Sequence, residues 1–146
     1  MTEPIDPFQL SRFVHAQTGC FDTALRELRA LRKQSHWMWF IFPQVRGLGH
    51  SELSIRFAIS SAEEAEAYLA HPILGPRLAE CCEVLERAET QRIRLIFEYP
   101  DDMKLRSCLT LFAHVSQQDS IFARLIVKYF EGVPDARTLQ LIEAHH

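Results

Sequence analysis

The chain has 146 residues, of which 47% are hydrophobic and 24% charged, with five glycines and seven prolines; this is ordinary globular usage, long enough for one domain that buries roughly two-thirds of its unfolded surface. A net charge of −3 argues against general nucleic-acid binding, which wants a basic face. No apolar run reaches the roughly 18 residues that a membrane span needs.

The opening Met1-Thr2-Glu3-Pro4-Ile5-Asp6 has neither a basic start nor an apolar core, so no signal peptide is expected and the cytoplasm is the expected location. The cysteines at 20, 81, 82 and 108 are then expected to be reduced thiols. There is no Cys-x-x-Cys, and the adjacent Cys81 and Cys82 cannot both face one metal easily, so no metal site is expected. Cys20, after Gly19, reads as a small apolar residue rather than a nucleophile.

In chain order, Phe21, Ala24, Leu25, Leu28 and Leu31 recur at i, i+3, i+4 and i+7 and predict an amphipathic helix. Arg26, Arg29, Arg32 and Lys33 on its other side read as a solvated polar face. The run Ser35-His36-Trp37-Met38-Trp39-Phe40-Ile41-Phe42-Pro43-Gln44 holds both tryptophans and would form a large apolar patch if exposed. Residues 36 to 42 suit either a strand or a buried helix; with nothing obvious to pair against, a short buried helix bounded by Ser35 and Pro43 is expected. Pro43, Gly47 and Gly49 then predict a loop.

Ser61 followed by Glu64 is a capping-box pattern opening a helix that runs to about Ala70, and Pro72 interrupts it. Leu78, Cys81, Cys82 and Leu85 stripe the next helix. After Pro100 come Leu105, Cys108, Leu109 and Phe112, and then Phe122, Leu125, Ile126 and Tyr129. Gly132 reads as a helix terminator and Asp135 as the N-cap of a last short helix. No Asn-Gly or Asp-Gly hairpin turn occurs. The expected fold is all-α: a single compact multi-helix domain over residues 1–146, bundle-like or orthogonal.

Three segments carry candidate chemistry. His36 enters the aromatic run, where Trp39 could stack a base while the imidazole acts as acid or base. In the glycine loop, a backbone free to approach a ligand could hold an anion, with Arg46 and His50 supplying charge and protons. In Pro100-Asp101-Asp102-Met103-Lys104-Leu105-Arg106-Ser107, the acids could simply open a helix. Alternatively, Asp101 or Asp102 pairs with Arg46 or Lys104. The resulting candidate site has His36 and Asp102 as acid/base groups and Trp39, Gln44, Arg46, Lys104, Arg106 and Ser107 as ligand contacts. Gly-x-Ser-x-Gly, Walker, His-Glu-x-x-His and EF-hand motifs are absent, and no cofactor is expected. His145 and His146 are assigned no role.

The combination Phe13-Val14-x-Ala16-Gln17, Ala24-Leu25-x-Glu27-Leu28-Arg29 and Lys33-x-Ser35-His36-Trp37-Met38-Trp39-Phe40-Ile41-Phe42-Pro43-Gln44 resembles the bacterial family catalogued as domain of unknown function 1810. So do Gly47-Leu48-Gly49-x-Ser51, Ala67-Tyr68-Leu69-x-His71-Pro72-x-Leu74-Gly75-x-Arg77-Leu78, Pro100-Asp101-Asp102-x-Lys104-x-Arg106-Ser107 and Thr110-Leu111-Phe112. The blocks span about residues 8 to 142. The resemblance implies an all-helical single domain and brings no mechanism. Some members carry the label calpastatin, but a calpain inhibitor of that kind is a disordered repeat protein, unlike a chain with this core-forming periodicity. Leu31-Arg32-Lys33 stands where the family usually has Gly-Arg-Lys, and Glu98-Tyr99 where it often has Gly-Ser; both changes are expected to narrow a pocket beside the motif. Cys108-Leu109 within Ser107–Thr110 reads as an adjustment of the core.

Two functions remain from the sequence. The first is binding of a nucleotide-like or phosphorylated small molecule, with or without catalysis. The second is a non-enzymatic helical protein–protein interaction module whose aromatic run is simply core. The sequence sets no oligomeric state.

Overall fold

The protein is described from residue 5 to residue 144 in a computed structural model; Met1–Pro4, part of the opening segment read above, and His145–His146 lie outside the described residues. The first helix is prepared by Asp6, whose carboxylate accepts the N–H groups of Leu10 at 2.7 Å and Ser11 at 3.0 Å. Helix α1 (Ser11–Gln17) follows, and α2 (Phe21–Arg29) buries Ala24, Leu25 and Leu28 as its stripe requires. Helix α2 stops two residues short of the last apolar position of that stripe. Leu31 sits beyond its end at φ +57°, a conformation costing an L-residue roughly 1–2 kcal/mol that glycine would not incur. Its side chain lines a hollow of about 410 Å³ with Val84 and Arg87 and packs on the core. The exchange of the family's glycine for Leu31 therefore acts there, not beside the aromatic motif.

The aromatic run makes one turn, α3 (Met38–Ile41), shorter than the expected 36 to 42. Trp37, Met38, Ile41 and Phe42 are buried, while Trp39 and Phe40 are half-buried. Among the described residues no strand forms. The backbone of Val45 makes a lone parallel bridge to Ile59, with Ile59 N–H donating to Gln44 O and Arg46 N–H donating to Ile59 O, both at 2.8 Å. Between these partners lies the short α4 (Glu52–Arg56), capped by the Ser51 hydroxyl on Ser54 N–H.

Helix α5 (Ala62–Ala70) begins at Ser61, whose hydroxyl accepts Glu64 N–H at 3.2 Å. Only this half of the expected capping box forms. The Glu64 carboxylate takes the N–H and hydroxyl of Ser60 instead, at 2.8 and 2.7 Å. Then come α6 (Leu74–Arg87), the single turn α7 (Ile93–Ile96), α8 (Asp101–His114), α9 (Ile121–Phe130) and α10 (Ala136–Ala144). Ending α9, Glu131 and Gly132 both take positive φ and Gly132 N–H donates to Ile126 O. Asp135 caps α10 by accepting Thr138 N–H at 3.0 Å.

Helix α8 is the axis. Its expected stripe is buried, but so are Asp102, Ser107, Thr110 and Leu111, since α5, α9 and α10 all pack on it. Helix α6 closes the layer against α2, α5 and α9. Rings link the parts: Phe13 meets Tyr68 at 5.2 Å, Tyr68 meets Phe112 at 5.3 Å, and Trp37 meets Phe42 and Phe97 at 6.1 and 6.2 Å. Trp37 carries a buried N–H that needs an acceptor. Glu27 supplies it at 2.9 Å, while also accepting Gln34 N–H, Ser35 N–H and the Ser35 hydroxyl. Burial pushes the Glu27 carboxyl up, but these four donors outweigh it and bring its pKa down to about 2.

Candidate functional site

Arg12 projects from α1 and spends all five of its N–H donors inside the protein. Nε donates to Arg56 O at 2.9 Å, Nη1 to the carbonyls of Phe8 and Gln9 at 2.6 and 3.0 Å, and Nη2 to Ala58 O and Glu64 Oε2, both at 2.8 Å. The planar five-donor fork of a guanidinium permits this; a lysine could not repeat it. Segments 44 to 52 positions apart are thereby fastened to α1. Glu64, only 2% exposed, carries the matching charge.

Around this floor opens a cleft of about 530 Å³, with Arg46 and Arg56 on its walls and Phe8, Ile55 and Ser60 beside them. The bridge between Val45 and Ile59 sets the position of Arg46, and the end of α4 sets that of Arg56, whose guanidinium lies 5.4 Å from the Phe57 ring. The lining of the cleft thus brings three guanidiniums and one carboxylate together, with Arg12 and Glu64 paired, in a chain of net charge −3. Fixed cations at the walls of a cavity are arranged to attract and hold an anion.

The eight residues singled out from the sequence do not meet in one pocket. Only Arg46 lines this cleft; Trp39, Asp102 and Lys104 do not. Lys104 lies over the Trp39 ring at 4.4 Å and pairs with Asp101 at 3.3 Å. Asp101 is also held by Lys33 at 2.8 Å, so the expected acid–base pairing at the start of α8 forms without Arg46. Asp102 is buried and pairs with Arg94 at 3.3 Å; its Oδ1 has no hydrogen-bond partner among the described residues. His36 is exposed, outside the aromatic cluster whose neighbouring Trp37 is buried. Gln44 is buried, its Nε2 likewise without a partner among the described residues.

Arg106 and Ser107 serve the junction of α8 with α10. Arg106 donates to the carbonyls of Val133 and Pro134 at 2.8 and 3.2 Å, and the Ser107 hydroxyl donates to Met103 O and Asp135 Oδ2, both at 3.2 Å. Gly47, at φ +106°, takes the left-handed conformation its loop requires, while an added Cβ at Gly49 would fall 2.6 Å from the Ser54 side chain and 3.1 Å from Trp39. The loop is thus closed by its own packing, and Ser51 already caps the short helix after it. Sequence reasoning missed Arg12, Arg56 and Glu64 as cleft residues. The available signal was Arg12 itself, a charge between Leu10 and Phe13 that had to find partners once its helix was buried.

The described residues contain no group of three or more His, Cys, Asp or Glu placed to hold a metal ion, and no helix long and apolar enough to cross a membrane. All four cysteines are free thiols; burial pushes Cys81 up to about 12 and also holds Cys82 and Cys108 well above the ordinary thiol value.

Residues 7–142 match the family described as "protein of unknown function (DUF1810)". The chain belongs to that family. The DUF1810 fold seen here is similar to the crystal structure of the conserved hypothetical protein Rv1873 from Mycobacterium tuberculosis, at 50% identity and a TM-score of 0.92, covering 94% of this chain and 99% of that one. Both the expected family and the all-helical class are borne out. No curated protein matches the chain.

Proposed function

We propose that this DUF1810 protein binds a small phosphorylated or nucleotide-like anion in the cleft of Arg12, Arg46 and Arg56. The observation that carries the reading is that three guanidiniums line a cavity of about 530 Å³ beside a single carboxylate, a volume typical of small-ligand sites. Phe8 adds an aromatic wall. The reading is one of binding: His36 and Asp102, the acid/base candidates, line no part of this cleft. Buried free thiols and the absence of a membrane-spanning helix among the described residues accord with a place in the cytoplasm.

The test is a thermal-shift screen against nucleotides, ADP-ribose, phosphosugars and inorganic phosphate. A ligand at a hundredfold its dissociation constant adds about 2.7 kcal/mol of stability. At least one phosphorylated compound is expected to raise the melting temperature, and Arg56→Ala to abolish the shift while leaving the ligand-free protein nearly unchanged. No shift from any compound, or an undiminished shift in Arg56→Ala, removes the proposal.

The second reading, a protein–protein interaction module, has its own support. Leu95, Tyr99 and Met103 are left exposed where α7 passes into α8, and solvent-facing apolar groups at one junction suit a partner. Pull-down of a partner that Leu95→Glu loses, together with an empty ligand screen, favours it.

A further inference from the structure

We propose that the ligand of the arginine cleft is amphipathic: a phosphate head held at the walls that carry Arg46 and Arg56, above the floor that Arg12 fastens, with an unbranched hydrocarbon chain lying in the trough next to it. This rests on the anion-binding reading and goes on to name the class of ligand. The trough encloses about 940 Å³ and is lined by Ile5, Leu10, Val14, Ala67, Ala70 and Ile73. Cleft and trough share a wall, Pro7 and Phe8. Cationic ground therefore passes directly into apolar ground across one aromatic ring.

The shared wall is built rather than incidental. On one side Asp6 accepts the N–H groups of Leu10 and Ser11; on the other Arg12 binds the carbonyls of Phe8 and Gln9. Gln9 itself is held at φ +54°. A segment fixed at both ends keeps its shape when a ligand arrives, which lowers the entropic cost of binding.

Two of the polar groups that line the trough are engaged by backbone N–H groups, while Ser11 and His15 stand exposed along it. Asp6 uses both oxygens on backbone N–H groups; burial pushes its carboxyl up, and the N–H groups of Ser11 and Leu10 bring it below its ordinary value. His71 Nδ1 accepts from Ile73 N–H and Leu74 N–H at 3.1 and 3.2 Å. The rest of the lining is mostly aliphatic, with Ile5 92% and Ile73 40% exposed. Apolar surface of this kind gains by being covered. The positive cleft at its edge selects an occupant with a negative head, not a neutral oil.

Isothermal titration of the full chain with inorganic phosphate, butyl phosphate, octyl phosphate below its micellar concentration, and octanol tests this. A buried methylene contributes about 0.8 kcal/mol, about fourfold in affinity. Octyl phosphate is expected to bind at least about tenfold more tightly than butyl phosphate, since part of its longer chain is buried. Arg56→Ala is expected to weaken both esters by a similar factor. Ala70→Trp fills the trough at an exposed helix end and is expected to erase the advantage of the octyl chain while sparing butyl phosphate; Ile73→Ser gives the same readout by a change that removes bulk.

Equal affinity of the two esters, both weakened by Arg56→Ala, overturns the amphiphile and leaves the anion site standing. Octanol binding as tightly as octyl phosphate overturns it too, because the head then adds nothing. If no phosphate compound binds, both the amphiphile and the anion site fall together.

Discussion

Glu27 is the residue on which the aromatic motif depends. A carboxylate that is 8% exposed would ordinarily be a liability, yet four donors converge on it from Gln34, Ser35 and Trp37. The 34–37 segment has no regular structure of its own, so these bonds fix its path and seat Trp37 against Phe42 and Phe97. The folded carboxyl lies near 2, below its ordinary 4.5. A depressed folded value means that the stabilisation is complete above about pH 4.5 and is lost as pH falls from there toward 2; it amounts to something on the order of 3 kcal/mol. Glu27→Gln keeps the shape but loses the charge and one acceptor. The variant is expected to be about 2–3 kcal/mol less stable than wild type at pH 7. Urea unfolding at pH 7 and pH 3 checks this, because the gap between variant and wild type narrows at the lower pH. A gap that is the same at both would show that the charge of Glu27 contributes little.

Helices α5 and α6 meet so closely that the sequence of their junction is constrained. The position of a Cβ on Gly75 would fall 2.1 Å from the carbonyl oxygen of Leu69, a backbone atom that cannot swing aside. Gly75→Ala, which in an exposed helix would stabilise, is therefore expected to destabilise by about 1–3 kcal/mol or more through overpacking. Thermal unfolding reads this directly; a rise in melting temperature would mean that the two helices can separate at little cost. The long helices α2, α6, α8 and α9 were readable because each repeats its apolar residues over two or more turns, and α5 because Ser61 and Glu64 mark its start. Helices α1, α4 and α7, of seven, five and four residues, were not, since such lengths hold too little periodicity and owe their form to packing. The burial of α8 on every side was also hidden: Ser107 and Thr110 look like surface residues until Asp135 and the Arg106 carbonyl take up their hydroxyls.

The candidate site was legible in part for a related reason. Sequence proximity pointed to Arg46, but Arg12, Arg56 and Glu64 reach the same cleft from three other segments. Only the closed fold reveals that one guanidinium ties them together. Arg12 joins the stretch before α1, the end of α4 and the start of α5 through its five bonds. Removing it leaves Glu64 as a buried charge without its partner, and losses of this kind run to about 3–5 kcal/mol. Arg12→Ala is accordingly expected to cost that much stability and to abolish phosphate binding even under conditions where the variant remains folded, since the walls carrying Phe8 and Arg56 are no longer fastened. Adding Glu64→Gln removes the orphaned charge. The double variant is expected to be more stable than Arg12→Ala alone, giving a coupling of about 1–3 kcal/mol in a double-mutant cycle measured by urea unfolding. Arg56→Ala keeps the backbone carbonyl that Arg12 uses, so it is expected to stay within about 0.5 kcal/mol of wild type while losing the anion. If the Arg12 and Glu64 effects simply add, the pair is not acting as one fastening. The cleft would then owe its shape to the surrounding helices rather than to the charge at its floor.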